Sequence, residues 1–144
     1  MTSRSATDPQ TPVLVDSNVI LDIATSDARW SAWSGDQLAA AADRGTLVIN
    51  PIVYAEVSIG YERIEEVEAA LPAELYRREA LPFEAGFLAG KCYRIYRKRG
   101  GARRSPLPDF YVGAHAAIAG YRLLTRDARR YRAYFPTVQL IAPS

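Results

Sequence analysis

Short apolar segments alternate with helix-like segments along most of this chain, and this alternation limits the folds that it can adopt. Four segments are mainly apolar, a pattern typical of buried strands, and a fifth, more polar segment is predicted to hold a short third strand. They cover residues 12–15, 46–49, 75–81, 121–125 and 138–141. Strands that alternate with helices usually form a mainly parallel sheet covered by those helices. The sequence therefore predicts an α/β domain.

Helix-forming patterns fill the intervals between the predicted strands. They cover residues 17–24, 28–44, 51–60, 62–71, 83–98, 109–120 and 128–135. Asn50 and Pro51 match an N-cap followed by proline at the first helical position, and Gly45 and Gly120 stand where helices end. We expect residues 1–10 to form a flexible tail and residues 11–144 to form a single domain.

The composition excludes several classes of protein. Apolar residues make up 49% of the chain and charged residues 24%, the balance of an ordinary globular domain. No apolar run approaches the ~20 residues needed to cross a bilayer, and the polar N-terminus argues against a secretory signal. One cysteine, Cys92, and one histidine cannot build a Cys/His zinc site or an internal disulfide. We expect a cytoplasmic protein without membrane contact.

Four acidic residues occupy corresponding points of this pattern. Asp16 ends the first predicted strand, and Asp127 follows the fourth. Glu56 lies in the helix after the second strand, and Asp109 opens the helix before the fourth. Strand ends and the helix starts that follow them share one edge of a parallel sheet, so these side chains are predicted to converge in one cleft. Each aspartate taken singly also fits a turn or a helix cap.

Carboxylates gathered in one pocket repel each other, and a divalent cation relieves this repulsion. Mg²⁺ and Mn²⁺ prefer such oxygen ligands, whereas a site without histidine or cysteine disfavours zinc. A site of this kind can activate water and stabilise charge on a phosphoryl group. Ser17, Asn18 and Thr125 adjoin the acids, where they either orient them by hydrogen bonds or cap helices. We expect Asp22 and Asp27 to face solvent.

Four segments resemble the signature segments of a known family. They read LVDSNVILDI, PIVYAEV, LPDFYVGAHAAIAG and LLTRDARRYRAYFPTVQLI. In this order they resemble PIN-domain nucleases and, more narrowly, the VapC toxins of bacterial toxin–antitoxin modules. The resemblance extends from about residue 12 to about residue 143. It implies a PIN-like three-layer α/β domain with a five-stranded, mainly parallel sheet flanked by helices.

The resemblance also implies an activity. Asp16, Glu56, Asp109 and Asp127 match the four family acids, which bind Mg²⁺ or Mn²⁺. In this interpretation Glu56 binds the metal through water or positions the nucleophile. The chain would then be an endoribonuclease that cleaves RNA phosphodiester bonds, in tRNA or rRNA, by metal-activated water. VapC-like toxins usually form homodimers and are inhibited by a cognate VapB-type antitoxin. One departure is His115, where many relatives have a small hydroxyl residue. At about 240° around the helix from Asp109, His115 is expected to point away from the metal.

Charge is distributed unevenly between the two parts of the chain. Residues 1–90 hold 6 basic and 14 acidic residues, whereas residues 91–144 hold 12 basic and 2 acidic ones. Such polarity is typical of a surface for nucleic acid or for an acidic partner. We interpret one basic run as an RNA-binding surface that uses phosphate contacts and stacking on interleaved tyrosines. The run comprises Lys91, Arg94, Arg97, Lys98, Arg99, Arg103 and Arg104, with Tyr93 and Tyr96 between them. The predicted RNA-binding residues are Arg97, Lys98, Arg99, Arg103 and Arg104. The alternative is a solvated helix face.

Three other functions stay open. The chain could be a solitary PIN-domain nuclease that processes RNA, or a non-catalytic module that binds RNA or protein on the same scaffold. A phosphotransferase that forms an aspartyl-phosphate on Asp16 fits less well, because that chemistry needs an acid two residues later, where Asn18 stands.

Overall fold

The computed structural model describes residues 11–101 and 107–144, and the sheet is its central feature. The strands are β1 (Val13–Val15), β2 (Leu47–Ile49), β3 (Tyr76–Arg78), β4 (Arg122–Leu124) and β5 (Leu140–Ile141). They form one sheet in the order β3-β2-β1-β4-β5, and every neighbouring pair is parallel. The predicted α/β class with a five-stranded parallel sheet is confirmed. Strand order reverses between β1 and β4, where ligand clefts of open α/β sheets form.

Seven helices connect and flank these strands in the described residues. They are α1 (Ser17–Ala24), α2 (Ser31–Arg44), α3 (Pro51–Ser58), α4 (Ile64–Ala70), α5 (Phe83–Lys98), α6 (Leu107–Ala119) and α7 (Arg129–Tyr134). The Asn50 side chain accepts a hydrogen bond from the Val53 backbone N–H at 3.0 Å and so caps α3. Helix α2 begins three residues later than predicted, because the Asp27 carboxylate accepts hydrogen bonds from the Arg29 and Trp30 backbone N–H groups in a preceding turn.

The central strands are buried on both faces, as expected for a parallel sheet covered by helices. Leu14 of β1 is paired in register with Val48 of β2 and Leu123 of β4, and all three side chains have 0% exposure. Full burial of one such side chain contributes about 1.5–3 kcal/mol. This packing holds the carboxyl ends of β1 and β4 in place. The residues that directly follow these strands therefore have defined positions.

Helix α6 approaches the end of α7 closely at Gly113. A Cβ atom at position 113 would clash with the Phe135 ring, so this contact requires glycine. The contact brings α6, which carries Asp109 in its first turn, alongside α7. At its other end, α6 stops at Gly120, whose φ of 72° favours glycine.

Some predicted features lie outside the described residues. These are the N-terminal tail, residues 1–10, and two members of the predicted RNA-binding surface, Arg103 and Arg104. Across residues 11–101 and 107–144, none of the helices combines the length and the apolar character needed to cross a membrane.

Candidate active site

Asp16 follows β1 directly and lies at the switch point of the sheet. Its carboxylate is 4% exposed and accepts hydrogen bonds from four neutral groups. These are the Ser17 backbone N–H at 2.8 Å, the Thr125 hydroxyl at 2.9 Å, the Tyr131 hydroxyl at 2.9 Å and the Asn18 amide at 3.5 Å. The first of these bonds also makes Asp16 the N-cap of α1. The sequence offered a cap and a functional acid as alternatives at this position, and the geometry accommodates both.

The electrostatic environment of Asp16 disfavours its charged form. Burial and the nearby carboxylates of Asp109 and Glu56 raise the pKa of Asp16 from 3.8 to about 7, although the Tyr131 and Thr125 hydrogen bonds oppose the shift. The buried carboxylate therefore stands among like charges, supported by neutral hydrogen-bond donors. This is the situation that a bound cation relieves.

Glu56 reaches the same cleft from α3. It is half-buried, and one of its oxygens accepts a hydrogen bond from the Ser17 hydroxyl at 3.0 Å. Burial raises the pKa of Glu56, and the negative charge of Asp109 adds to this effect. Ser17 therefore links Asp16, through its backbone N–H, and Glu56, through its hydroxyl, although the two acids are separated in sequence by a strand and two helices.

Asp109 differs from Asp16 and Glu56 because it is ion-paired. Its Oδ2 atom lies 2.6 Å from Nη1 of Arg130, at the start of α7. Burial nevertheless raises the pKa of Asp109; Arg130 acts against this shift, and Asp127 adds to it by repulsion. The electrostatic influence of Asp127 on Asp109, and of Asp109 on Asp16 and Glu56, puts the four acids in one neighbourhood.

Asp127 is the most exposed of the four acids. Its backbone N–H donates to the Thr125 hydroxyl at 3.1 Å, and that hydroxyl in turn donates to Asp16. Asn18 belongs to the same hydrogen-bond network. Its amide donates to the Thr125 hydroxyl at 3.2 Å, and its side-chain oxygen accepts from the Arg126 backbone N–H at 3.2 Å. Residues that follow β4 are thus tied to residues that follow β1.

The donor set fits a hard divalent cation such as Mg²⁺ or Mn²⁺. All candidate ligands are carboxylate oxygens, and their mutual repulsion favours a positive charge between them. Within the two described segments, however, no three such side chains are already arranged around a common point suitable for a metal ion. The Asp109 carboxylate is engaged by Arg130 instead, so an entering cation requires a change at this pair.

Sequence analysis missed two residues that contact the acids, Arg130 and Tyr131. Tyr131 is buried and donates to Asp16, which lies 115 positions away in the chain. A local signal did exist: a helix that begins just after Asp127 directs its first turn toward the same edge of the sheet. This signal does not say which side chains of the Arg-Arg-Tyr run face inward.

The expectation for Asp22 was wrong. Asp22 is 2% exposed rather than solvent-facing, and its carboxylate pairs with the Arg126 guanidinium through Nε at 2.8 Å and Nη2 at 2.9 Å. The Ser34 hydroxyl also donates to it at 2.7 Å. The reason is tertiary: α1 places Asp22 under α2 and beside the loop after β4, where Arg126 supplies the compensating charge.

His115 is completely buried behind the cleft. Its ring nitrogens lie 3.0 Å from the Asn50 amide nitrogen and 3.3 Å from a Glu79 oxygen, so these partners lie at the ends of β2 and β3 and are not among the four acids. Of the predicted RNA-binding surface, Arg97 is half-buried at the end of α5, whereas Lys98 and Arg99 are exposed. The interleaved Tyr93 and Tyr96 pack on the Phe110 ring, with centroids at 5.7 and 5.4 Å.

Known structures share this fold at low sequence identity. The chain is similar to VapBC2 from Rickettsia felis bound to a DNA fragment from its promoter, with a TM-score of 0.71, 16% identity, and coverage of 91% of this chain and 98% of that one. It is similar to VapBC-1 from nontypeable Haemophilus influenzae, with a TM-score of 0.69, 18% identity and coverage of 91% and 97%. A toxin–antitoxin complex from Klebsiella pneumoniae gives a TM-score of 0.68, 18% identity and coverage of 92% and 98%.

Sequence comparison gives the family directly. No curated protein sequence matches this chain. The family described as PIN domain matches residues 13–136, which include all four acids and every strand except β5. With the parallel sheet and the acid-lined edge already described, this match shows that the chain belongs to the PIN-domain family.

Proposed function

We propose that this protein is a Mg²⁺- or Mn²⁺-dependent endoribonuclease and the toxin of a VapBC-type toxin–antitoxin pair. PIN domains are generally nucleases, which supports hydrolysis of a phosphodiester. The observation that carries the proposal is Asp16, a buried carboxyl whose pKa is raised to about 7 beside Asp109 and Glu56. Burial of this carboxylate without a cationic partner in the described residues is energetically unfavourable. Asp16 is therefore suited to bind a metal ion.

The four acids have different proposed roles, which follow from their positions. Asp16, Asp109 and Asp127 are the proposed metal ligands, and the metal supplies Lewis acidity toward the scissile phosphate and its attacking water. Glu56 reaches the cleft from α3 and, with its raised pKa, is suited to orient the water and accept its proton. Ser17, Asn18 and Thr125 hold these carboxylates in place by the hydrogen bonds described above.

The proposed substrate is RNA, with tRNA or rRNA as the expected class and the cytoplasm as the expected place of action. The cationic end of α5 supports a polyanionic substrate, since Arg97, Lys98 and Arg99 lie in its last turn and at its C-cap. Stacking on Tyr93 and Tyr96 has less support, because both rings pack against Phe110. Phosphate contacts are therefore the main proposed contribution of this surface.

The toxin role rests on the solved relatives, which are VapBC complexes and a toxin–antitoxin complex. By analogy we propose that a VapB-type antitoxin binds this chain and that the chain forms a homodimer. Co-expression with the product of an adjacent short open reading frame tests this. We expect a stable complex with suppressed RNA cleavage. A chain that purifies without this product and cleaves RNA equally in its presence contradicts the toxin role.

Cleavage of a tRNA substrate, assayed with Mg²⁺, Mn²⁺ or EDTA, tests the catalytic role. We expect cleavage only with a divalent cation and its loss in Asp16→Asn and Asp109→Asn. Asp36→Asn is the matched control, since Asp36 is an exposed acid on α2. Undiminished cleavage by both cleft variants contradicts the assigned site. Calorimetric titration with Mn²⁺ provides a second measurement, in which the wild type binds and Asp16→Asn does not.

A further inference from the structure

Asp109 is the one acid of the four that is ion-paired within the described part of the chain. The Arg130 guanidinium holds its Oδ2 atom at 2.6 Å, and both side chains are about 30% exposed, at 29% and 30%. The guanidinium also lies over the Tyr96 ring, 5.7 Å from its centroid, which fixes its orientation. Asp16 and Glu56 are contacted only by uncharged donors in the same residues.

A metal ion and Arg130 need the same carboxylate. A bound divalent cation takes lone pairs of Asp109 that now accept from Arg130, and the two positive charges repel at this separation. Arg130 therefore offsets the charge of Asp109, but not that of Asp16 or Glu56, before a metal ion arrives. When the metal binds, the guanidinium must leave Asp109 at least in part.

A cavity beside α7 is a place where the Arg130 guanidinium, once released from Asp109, can bind another group. It has a volume of about 420 Å³ and is lined by Asp127, Arg129, Arg130, Ala133 and Tyr134. Two arginines face one exposed acid, and Arg129 forms no ion pair with any described residue. An opening lined by two arginines next to a cleft of acids is suited to a phosphate, which Arg binds through its planar fork.

We propose that the cavity beside α7 is a binding subsite for a phosphate of the RNA next to the scissile bond, and that Arg130 exchanges Asp109 for this phosphate when the metal binds. The inference rests on the proposed function, since it assumes a metal-dependent nuclease. Arg130 is a substrate-binding residue in this scheme. It occupies the cleft in the metal-free protein and binds substrate in the metal-loaded one, so that metal binding prepares the phosphate subsite.

Calorimetric titration with Mn²⁺ alone tests the exchange at Asp109. Arg130→Gln removes the competing charge, and we expect the Kd for Mn²⁺ to fall about tenfold. Arg130→Lys retains a cation and should stay within about threefold of wild type. Arg129→Gln is the matched control, because it removes the same charge from the same cavity without touching Asp109, and its Kd should change less than about twofold. Circular dichroism verifies that each variant is folded.

Steady-state RNA cleavage at saturating Mn²⁺ tests the phosphate subsite. We expect Arg130→Gln to raise KM about tenfold and to change kcat less than about threefold, the pattern of a lost substrate-binding contact. An Mn²⁺ affinity that is equal in wild type and Arg130→Gln overturns the inference and leaves the proposed function standing. An unchanged KM in Arg130→Gln also overturns it. Failure of the wild-type protein to bind Mn²⁺ at all overturns both.

Discussion

Asp16 and Asp22 stand at the two ends of α1 and are almost equally buried, with exposures of 4% and 2%. Their surroundings differ in one respect. Asp22 faces a guanidinium, since Arg126 contacts both of its oxygens, and the Ser34 hydroxyl completes its hydrogen bonds. Asp16 has uncharged donors only and two acids nearby, and its pKa rises to about 7. Asp22 is thus paired with a cation, whereas Asp16 has no cationic partner among the described residues.

This difference separates a structural acid from a functional one. The Asp22–Arg126 pair joins α1 to the loop after β4, and Ser34 adds α2, so the Asp22 carboxylate connects three parts of the structure. Asp16 weakens the metal-free fold, because a buried carboxylate without a cation is costly. A protein retains such a group where a ligand offsets the cost, and strained electrostatics of this kind concentrate at functional sites. Burial alone does not distinguish the two residues, whereas their partners do.

The largest expected effect is on RNA cleavage, and it separates Asp16 from Asp22. We expect Asp16→Asn to lower kcat/KM for RNA by at least about 100-fold, since losing even a supporting partner of a metal ligand costs about 10–100-fold. Asp22→Asn should retain activity within about threefold, assayed well below its unfolding temperature. Equal losses in the two variants would break the comparison.

The next effect is on stability, where Asp22→Asn, and not Asp16→Asn, is expected to be the more damaging variant. Asp22→Asn leaves the Arg126 guanidinium without its partner, and we expect the free energy of unfolding to fall by about 2–4 kcal/mol. Loss of one member of a buried pair costs about 3–5 kcal/mol, and Arg126 is 32% exposed, which reduces the cost. Urea denaturation measures it. The double variant Asp22→Asn/Arg126→Met should recover part of the loss, because it removes the uncompensated charge as well. A double variant less stable than Asp22→Asn would argue against this explanation.

A third effect concerns pH and the metal-free protein. The pKa of Asp16 is higher in the folded state, about 7, than the ordinary value of 3.8. The folded protein therefore holds the extra proton between these values, and its stability falls as pH rises from about 4 to about 7. Asp16→Asn removes this loss. In EDTA we expect the variant to be more stable than wild type by about 1–3 kcal/mol at pH 8 and equally stable at pH 4. A constant difference across this range would contradict the raised pKa.

The smallest effect tests the hydrogen bonds that support Asp16. Tyr131→Phe removes a hydroxyl that donates to its carboxylate at 2.9 Å. We expect metal-free stability at pH 8 to fall by about 1–2 kcal/mol, the scale of a hydrogen bond to a charged group. Tyr134→Phe is the control, since the Tyr134 hydroxyl has no hydrogen bond to residues 11–101 or 107–144. Thermal unfolding of both variants in EDTA measures the difference. Equal unfolding midpoints would contradict the stabilising role of the Tyr131 hydroxyl.

Much of the fold was predictable from the chain because its signals are local. The β-branched apolar segments, the Asn50–Pro51 helix start and the glycine at position 120 each specify backbone geometry within a few residues. The edge at which the four acids gather followed from the same pattern, because parallel strands place their carboxyl ends together. Strand limits were less accurate: residues 75–81 contain only the short strand Tyr76–Arg78.

The partners of the acids were not predictable in this way. Arg126 and Arg130 lie in one basic stretch whose spacing does not say which guanidinium meets which carboxylate. Helix α7 has six residues, too few for an apolar stripe to reveal its inward face. Asp22 was expected in solvent, whereas it is buried against Arg126, which lies 104 positions away in the chain.

By itself, the sequence determined the α/β class, the order of elements and the sheet edge that carries Asp16, Glu56, Asp109 and Asp127. Hydrophobic periodicity and turn chemistry act over a few residues, so one chain without its structure suffices for them. Tertiary structure decided that Arg126 neutralises Asp22, that Arg130 holds Asp109, and that Asp16 has no cation among the described residues. Coulomb interactions depend on distance in space and on burial, and both quantities are set only when the helices pack on the sheet.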